Sequence, residues 1–359
     1  MSSPLSPKDR VLTTFAHQEP DRVPLNYAGN PGINARLMQH FGLAEGDYEG
    51  LLTALETDFR GVGAPYTGPP LHGELPDRRV DPLWGIRTRY IEHPSGGYWD
   101  FCDFPLREAT EEEVAAWPLP SPDDYDCSGV AEACRRQQRF AINGAAGFGD
   151  IINGNGMLRG MEQTLIDLVT DEPAGLLLAD RRMAVQLEVT ARILEAAQGG
   201  VDFVWLGEDL GTQIGPLISL DTFRKHIRPR YQPFCDLARS YNLPVMIHTC
   251  GSSSWAYEDF IEMGIHAVDT LQPEAKDMSP EYLKQTFGGR LAFHGCISTA
   301  GPLAYGTVED VTRTVRETLE TMMPGGGYCL APTHQIQDNT PTENVLAMYE
   351  AAKRHGTYG

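Results

Sequence analysis

The chain lacks several features that would place it outside the ordinary globular proteins. It has no apolar run of about 18 residues, so no membrane-spanning helix is expected. Its opening, Met1-Ser2-Ser3-Pro4-Leu5-Ser6-Pro7-Lys8, has no apolar h-region, so no secretory signal is expected and the cytoplasm is the expected location. Basic residues are in deficit. The 29 Lys and Arg face 49 Asp and Glu, which leaves a formal charge of −20. That balance repels phosphate backbones and anionic membranes, and so argues against nucleic-acid and membrane partners. A small-molecule substrate remains, and even an anionic one is compatible if arginines are local. Cysteines are few and scattered: Cys102, Cys127, Cys134, Cys235, Cys250, Cys296 and Cys329. Seven spread-out cysteines in a cytosolic-looking chain do not make a disulfide framework. A dinucleotide fingerprint is also missing, because Gly29-Asn30-Pro31-Gly32 after the first candidate strand has the wrong glycine spacing.

What is present is a regular alternation. Apolar runs of strand length recur at Val23–Ala28, Asp58–Gly63, Phe140–Ala146, Asp202–Gly207, Val245–His248, His266–Leu271, Leu291–Gly295 and Tyr328–Ala331. Helical patterns lie between them, including Gly160–Val169, Pro173–Gln198, Leu220–Tyr241, Val308–Met323 and Thr342–His355. Eight βα units in 359 residues predict an α/β fold of the (β/α)8 TIM-barrel type, a single domain over 1–359. A doubly wound open sheet is the alternative. Residues 64–105 differ in texture, with dense Pro and Gly. Two alternating aromatic runs follow, Trp84–Ile91 and Tyr98–Phe101, about the turn Pro94-Ser95-Gly96-Gly97. They predict a β-hairpin insertion in the N-terminal third. The acidic, proline-rich stretch 105–126 reads as a connector.

In a parallel barrel the carboxyl ends of all strands converge on one face. The run Val245-Met246-Ile247 ends in His248-Thr249-Cys250, which delivers an imidazole and a thiol to that face. Zinc takes both, and a catalytic zinc keeps one position open. The plain alternative is a buried His beside a buried Cys. Cys296 and His334 follow neighbouring strands and strengthen the metal reading, although Cys296 also suits a packing role. Glu208 and Asp209 follow another strand and serve either as ligand and general base or as helix caps. Cys329 lies inside its strand and reads as core. Arg159 suits a carboxylate contact or a salt bridge, Asn344 a cap, and His294 is left without a role.

At these residues the chain resembles the uroporphyrinogen decarboxylase superfamily, in the branch related to corrinoid methyltransferases. Gln18-Glu19-Pro20-Asp21-Arg22-Val23-Pro24 is similar to the family's opening. The segments Glu208–Ser219 and Gly325–Gln337 resemble stretches common in that branch. The resemblance implies a (β/α)8 barrel with its site at the carboxyl ends of the strands. True decarboxylases carry an arginine-rich N-terminal motif that holds tetrapyrrole carboxylates, whereas the first candidate strand here, Pro24–Asn30, has no arginine. The methyltransferase branch uses His-x-Cys with a distant third Cys, where this chain has His334. The resemblance thus implies a zinc-dependent methyltransferase working with cobalamin or a corrinoid protein. The metal ligands would be drawn from His248, Cys250, His334 and Cys296, with Glu208, Asp209 or His334 handling protons. Trp84, Tyr90, Tyr98 and Trp99 would stack on the cofactor or substrate. The alternative is a metal-independent lyase using His334 and Asp209 on a small anionic substrate.

Overall fold

The computed structural model describes residues 4–93, 96–147 and 149–359. Pro94 and Ser95 of the expected turn lie outside them, as does Phe148. The strands are β1 (Phe59–Val62), β2 (Arg79–Val80), β3 (Arg87–His93), β4 (Gly96–Phe101), β5 (Ala141–Gly144), β6 (Val204–Gly207), β7 (Val245–Thr249), β8 (Ala267–Thr270), β9 (Ala292–Ile297) and β10 (Tyr328–Pro332). The last five form one sheet in the order β10-β9-β8-β7-β6, and β1 pairs with β5. Every pairing in these two sheets is parallel, with helices between the strands, so the fold is α/β.

The two sheets are joined by single parallel bridges. Leu25 bridges Leu330 of β10, and Asn143 of β5 bridges Phe203 just before β6. Around Leu25, the Leu330 amide donates to the Pro24 carbonyl at 2.8 Å and the Asp58 amide donates to the Leu25 carbonyl at 2.8 Å. The segment expected as the first strand therefore lies between β10 and β1, but it forms no ladder. Pro24 has no N–H, and the Leu25 N–H donates to the Asp58 carboxylate at 2.7 Å. At the other gap the Trp205 N–H takes the Asn143 side-chain oxygen at 2.8 Å instead of a carbonyl. In both places a side chain supplies the acceptor that a regular ladder would draw from the backbone.

Side chains alternate across a strand, and here the alternation builds two layers. Phe59, Ala141, Phe203, Met246, Ala267, Ala292 and Cys329 pack with Val11 and Phe15 of the helix Pro7–Phe15. Two residues further along the same strands stand Gly61, Asn143, Trp205, His248, Asp269, His294 and Ala331. An apolar floor thus underlies a polar layer. The other strand faces, including Ile142, Leu206, Ile247, Val268 and Leu330, pack in the main core. In β9 the alternation breaks. Gly295 and Cys296 have φ of +126° and +71°, and Cys296 joins the main core instead of following His294 inward.

The residues between β1 and β5 hold the antiparallel sheet β2-β3-β4, in which Tyr90 faces Trp99. The connector 105–126 is not wholly irregular. Thr110 and Glu113 form a capping box that starts the helix Glu111–Ala116. A second helix escaped the sequence pattern, Ile151–Arg159, where Asn153, Gly154 and Gly156 are poor helix formers. It ends at Gly160, whose φ of +84° and ψ of 142° suit glycine alone, and Met161–Thr170 starts afresh. No described helix is long and apolar enough to cross a membrane.

Candidate metal centre and adjoining cavity

His248 lies one residue before the end of β7, paired with Gly207 of β6 and Asp269 of β8. That register sets its neighbours. Its Nδ1 is 2.6 Å from Asp269 Oδ2 and 2.7 Å from Thr270 Oγ1. Its Nε2 is 3.4 Å from Cys250 Sγ and 3.8 Å from Asp209 Oδ1. Asp209 follows β6 and is held at both oxygens. Oδ1 accepts the Cys250 N–H at 2.9 Å, and Oδ2 accepts Asn153 Nδ2 at 2.8 Å. Ligand atoms of Asp209, His248 and Cys250 all lie within 4.8 Å of one another, the only such group among the described residues. Imidazole nitrogen, thiolate and carboxylate are the ligand types zinc takes, at bond lengths of about 2.0–2.3 Å, so the donor set fits zinc.

Behind His248 stands a relay. Asp269 is buried and bonds a second imidazole, His294 Nδ1, through its other oxygen at 2.5 Å. The direction of these bonds is set by Asn26. Its Oδ1 accepts the Tyr27 N–H at 2.9 Å, so its Nδ2 faces His294 Nε2 at 3.0 Å. An amide NH2 only donates, so His294 Nε2 accepts and the ring proton sits on Nδ1 toward Asp269. Burial pushes the Asp269 carboxyl up. The pull of His294 and hydrogen bonds from both imidazoles reverse this and hold it far below the usual range. Burial pushes the His248 imidazole down, but its bonds to Asp269 and Cys250 outweigh that and hold it well above its ordinary value. The Cys250 thiol is pushed up by burial against the opposing pull of His248.

A cavity of about 340 Å³ opens above the polar layer, and His248 lines it. Tyr27, Tyr48 and Trp205 line it, its floor carries Asn143, Asp269 and His294, and Phe59 reaches it from the layer beneath. His334 is exposed and lines the same cavity, but it lies outside the Asp209–His248–Cys250 group.

Cys296, expected as a ligand, is 1% exposed in the main core, turned there by its positive φ, and burial pushes its thiol up. Glu208, expected to move protons, takes the capping role instead. Its carboxylate accepts the N–H groups of Ile151 and Ile152 at 2.8 and 2.9 Å and bonds the Tyr231 hydroxyl. Burial and nearby Asp150 push it well above the usual range. The four aromatics expected to stack on a cofactor do not line the cavity. Trp84 lies under the Arg182 guanidinium, and Tyr90 and Trp99 meet edge to face on the antiparallel sheet, about half exposed. Tyr98 faces Ile91 in the neighbouring register pair. Cys329 is core, as expected. Arg159 pairs with Asp167 at 2.6 Å, and Asn344 bonds the Leu303 and Gly306 carbonyls.

Asp269, His294, Asn26 and the cavity aromatics were not singled out by the motifs. A signal existed for the first two, since each is a polar residue at an inward position of an otherwise apolar strand.

Together these features define an α/β protein whose parallel strands carry a His–Cys–Asp donor set beside a small cavity. The chain belongs to the uroporphyrinogen decarboxylase (URO-D) family, whose model matches residues 148–355, more than half its length. Among solved structures it has the fold of a methyltransferase from Methanosarcina mazei. The likeness has a TM-score of 0.63 at 20% identity and covers 98% of this chain and 99% of that one. No curated protein matches the chain.

Proposed function

We propose that this chain is a zinc-dependent methyltransferase. It would move a methyl group between a methylated small molecule or a thiol and a corrinoid, free or carried on a corrinoid protein. The observation that carries the reading is the meeting of Asp209, His248 and Cys250 ligand atoms within 4.8 Å beside an open cavity. The name of the Methanosarcina mazei structure is consistent with methyl transfer on this fold. We infer further that the strands close into a (β/α)8 barrel, with the segment at Leu25 as the eighth stave. The bridges Leu25 to Leu330 and Asn143 to Phe203 support that closure.

His248 Nε2, Cys250 Sγ and Asp209 Oδ1 would hold the metal. Zinc bound there supplies a Lewis acid that lowers the pKa of a coordinated thiol to near neutrality. The chain's own part is orientation. Asp269 accepts the hydrogen bond from His248 Nδ1–H and leaves the Nε2 lone pair facing Cys250. His294 and Asn26 hold Asp269 in turn. Asn153 and the Cys250 N–H fix the Asp209 carboxylate. His334, exposed and lining the cavity, would exchange a proton between substrate and solvent. The test is metal analysis of the purified chain. One zinc per chain, lost when His248→Ala and Cys250→Ala are combined, is the expected result. A folded wild-type protein that binds no zinc overturns the reading.

A further inference from the structure

The cavity beside His248 also bears on what the methyl group is attached to. Its aromatic walls present ring faces and edges: Tyr27 and Tyr48 lie 6.4 Å apart, and Phe59 and Trp205 each meet His294 edge-on at 5.3 and 5.5 Å. Among the described lining residues the only lysine or arginine is Arg60, and it is fully engaged. Its Nε and one terminal nitrogen bond Glu49, and the other bonds Thr57 and the Phe59 carbonyl. Its plane stacks on Phe140 at 3.8 Å. A carboxylate entering the cavity would have to break that ion pair to find a permanent cation. The one carboxylate in the lining, Asp269, is buried in the floor. Aromatic walls, a lining whose only described lysine or arginine is already engaged, and a chain charge of −20 favour a positive guest.

We propose that this cavity takes a small methylated onium, a quaternary ammonium or its sulfonium equivalent, as the methylated small molecule. The inference rests on the methyl-transfer reading and names its substrate class. The transfer balances without an oxidant or a proton. The acceptor, a thiolate or reduced corrinoid, gives an electron pair to the methyl carbon, the carbon–nitrogen or carbon–sulfur bond breaks, and its electrons return to the heteroatom, which leaves as a neutral amine or thioether.

The test is isothermal titration of the full chain, zinc-free and zinc-loaded, with choline, its uncharged tert-butyl isostere and propionate. Choline is expected to bind about tenfold more tightly than the isostere, with propionate weakest. Tyr48 is 40% exposed, so Tyr48→Leu should fold and should lower the choline preference by about threefold or more, while Tyr48→Phe retains it. An isostere that binds as well as choline, tighter binding of propionate, or no binding of any of the three overturns the proposal. Zinc content of the same samples is read separately. Selective choline binding without zinc sinks the metal reading alone, and zinc without selectivity sinks this inference alone.

Discussion

Asp269 is where two imidazoles converge, and its geometry makes a definite claim about His248. A carboxylate accepts at both oxygens, so one residue orients His248 and His294 together. Asparagine of the same shape has only one acceptor atom. Asp269→Asn is therefore expected to weaken zinc binding by about 10–100-fold, measured by competition with a chelator. Unchanged affinity would show that the carboxylate does not orient the ligand. The cysteines divide in the same way. Cys250→Ala should abolish stoichiometric zinc, whereas Cys296→Ala should leave zinc content intact, because the Cys296 thiol faces the core. Zinc lost from the Cys296 variant would show that this thiol is a ligand after all.

At the scale of elements, the loops that carry the donors are tied down by helix termini. The helix Ile151–Arg159 places Asn153 on Asp209, and its own first turn is held by Glu208. The helix Tyr257–Met263 follows the Cys250 loop, and Asp259 anchors it to Arg224 and Arg228 at 3.0 and 2.5 Å. Burial pushes the Asp259 carboxyl up, but the two arginines carry it below its ordinary value. A depressed folded-state pKa gives stability that is fully present above the unfolded value of about 3.9 and is lost as pH falls through the folded one. Asp259→Asn should therefore melt below wild type at neutral pH. The gap should close as the solution is acidified below about pH 4. Thermal unfolding across that range checks it, and a gap independent of pH would rule out the charge as its cause.

At the scale of the whole molecule, a site built from β7 and the loops after β6 and β7 exists only in the folded chain. A metal that binds the native state alone stabilises it by mass action, about 4 kcal/mol when free zinc is roughly 1,000 times its Kd. Zinc should thus raise the melting temperature of the wild type by several degrees. It should leave the doubly substituted His248→Ala, Cys250→Ala protein unmoved, as scanning calorimetry with and without chelator will read.

Much of the strand and helix order was legible, because apolar periodicity is local and survives in any buried parallel sheet. His248 and Cys250 were legible for the same reason, as ligand-type side chains ending an apolar run. Family resemblance led to the URO-D assignment that residues 148–355 bear out. The helix Ile151–Arg159 was not legible, since its glycines and asparagines argue against it and its support comes from Glu208, distant in sequence. Nor was it legible which carboxylate joins His248 and Cys250. Asp209 and Glu208 are adjacent carboxylates of the same chemistry, and only the strand register decides that one faces Cys250 while the other caps a helix. The positive φ at Cys296 turned a plausible ligand into a core residue, and the Asp269–His294 pair joined two strands whose partnership no local pattern states. Local periodicity determined which residues lie on strands. Three-dimensional packing decided which side chains share a point, because that depends on how separate strands align and where the backbone departs from alternation.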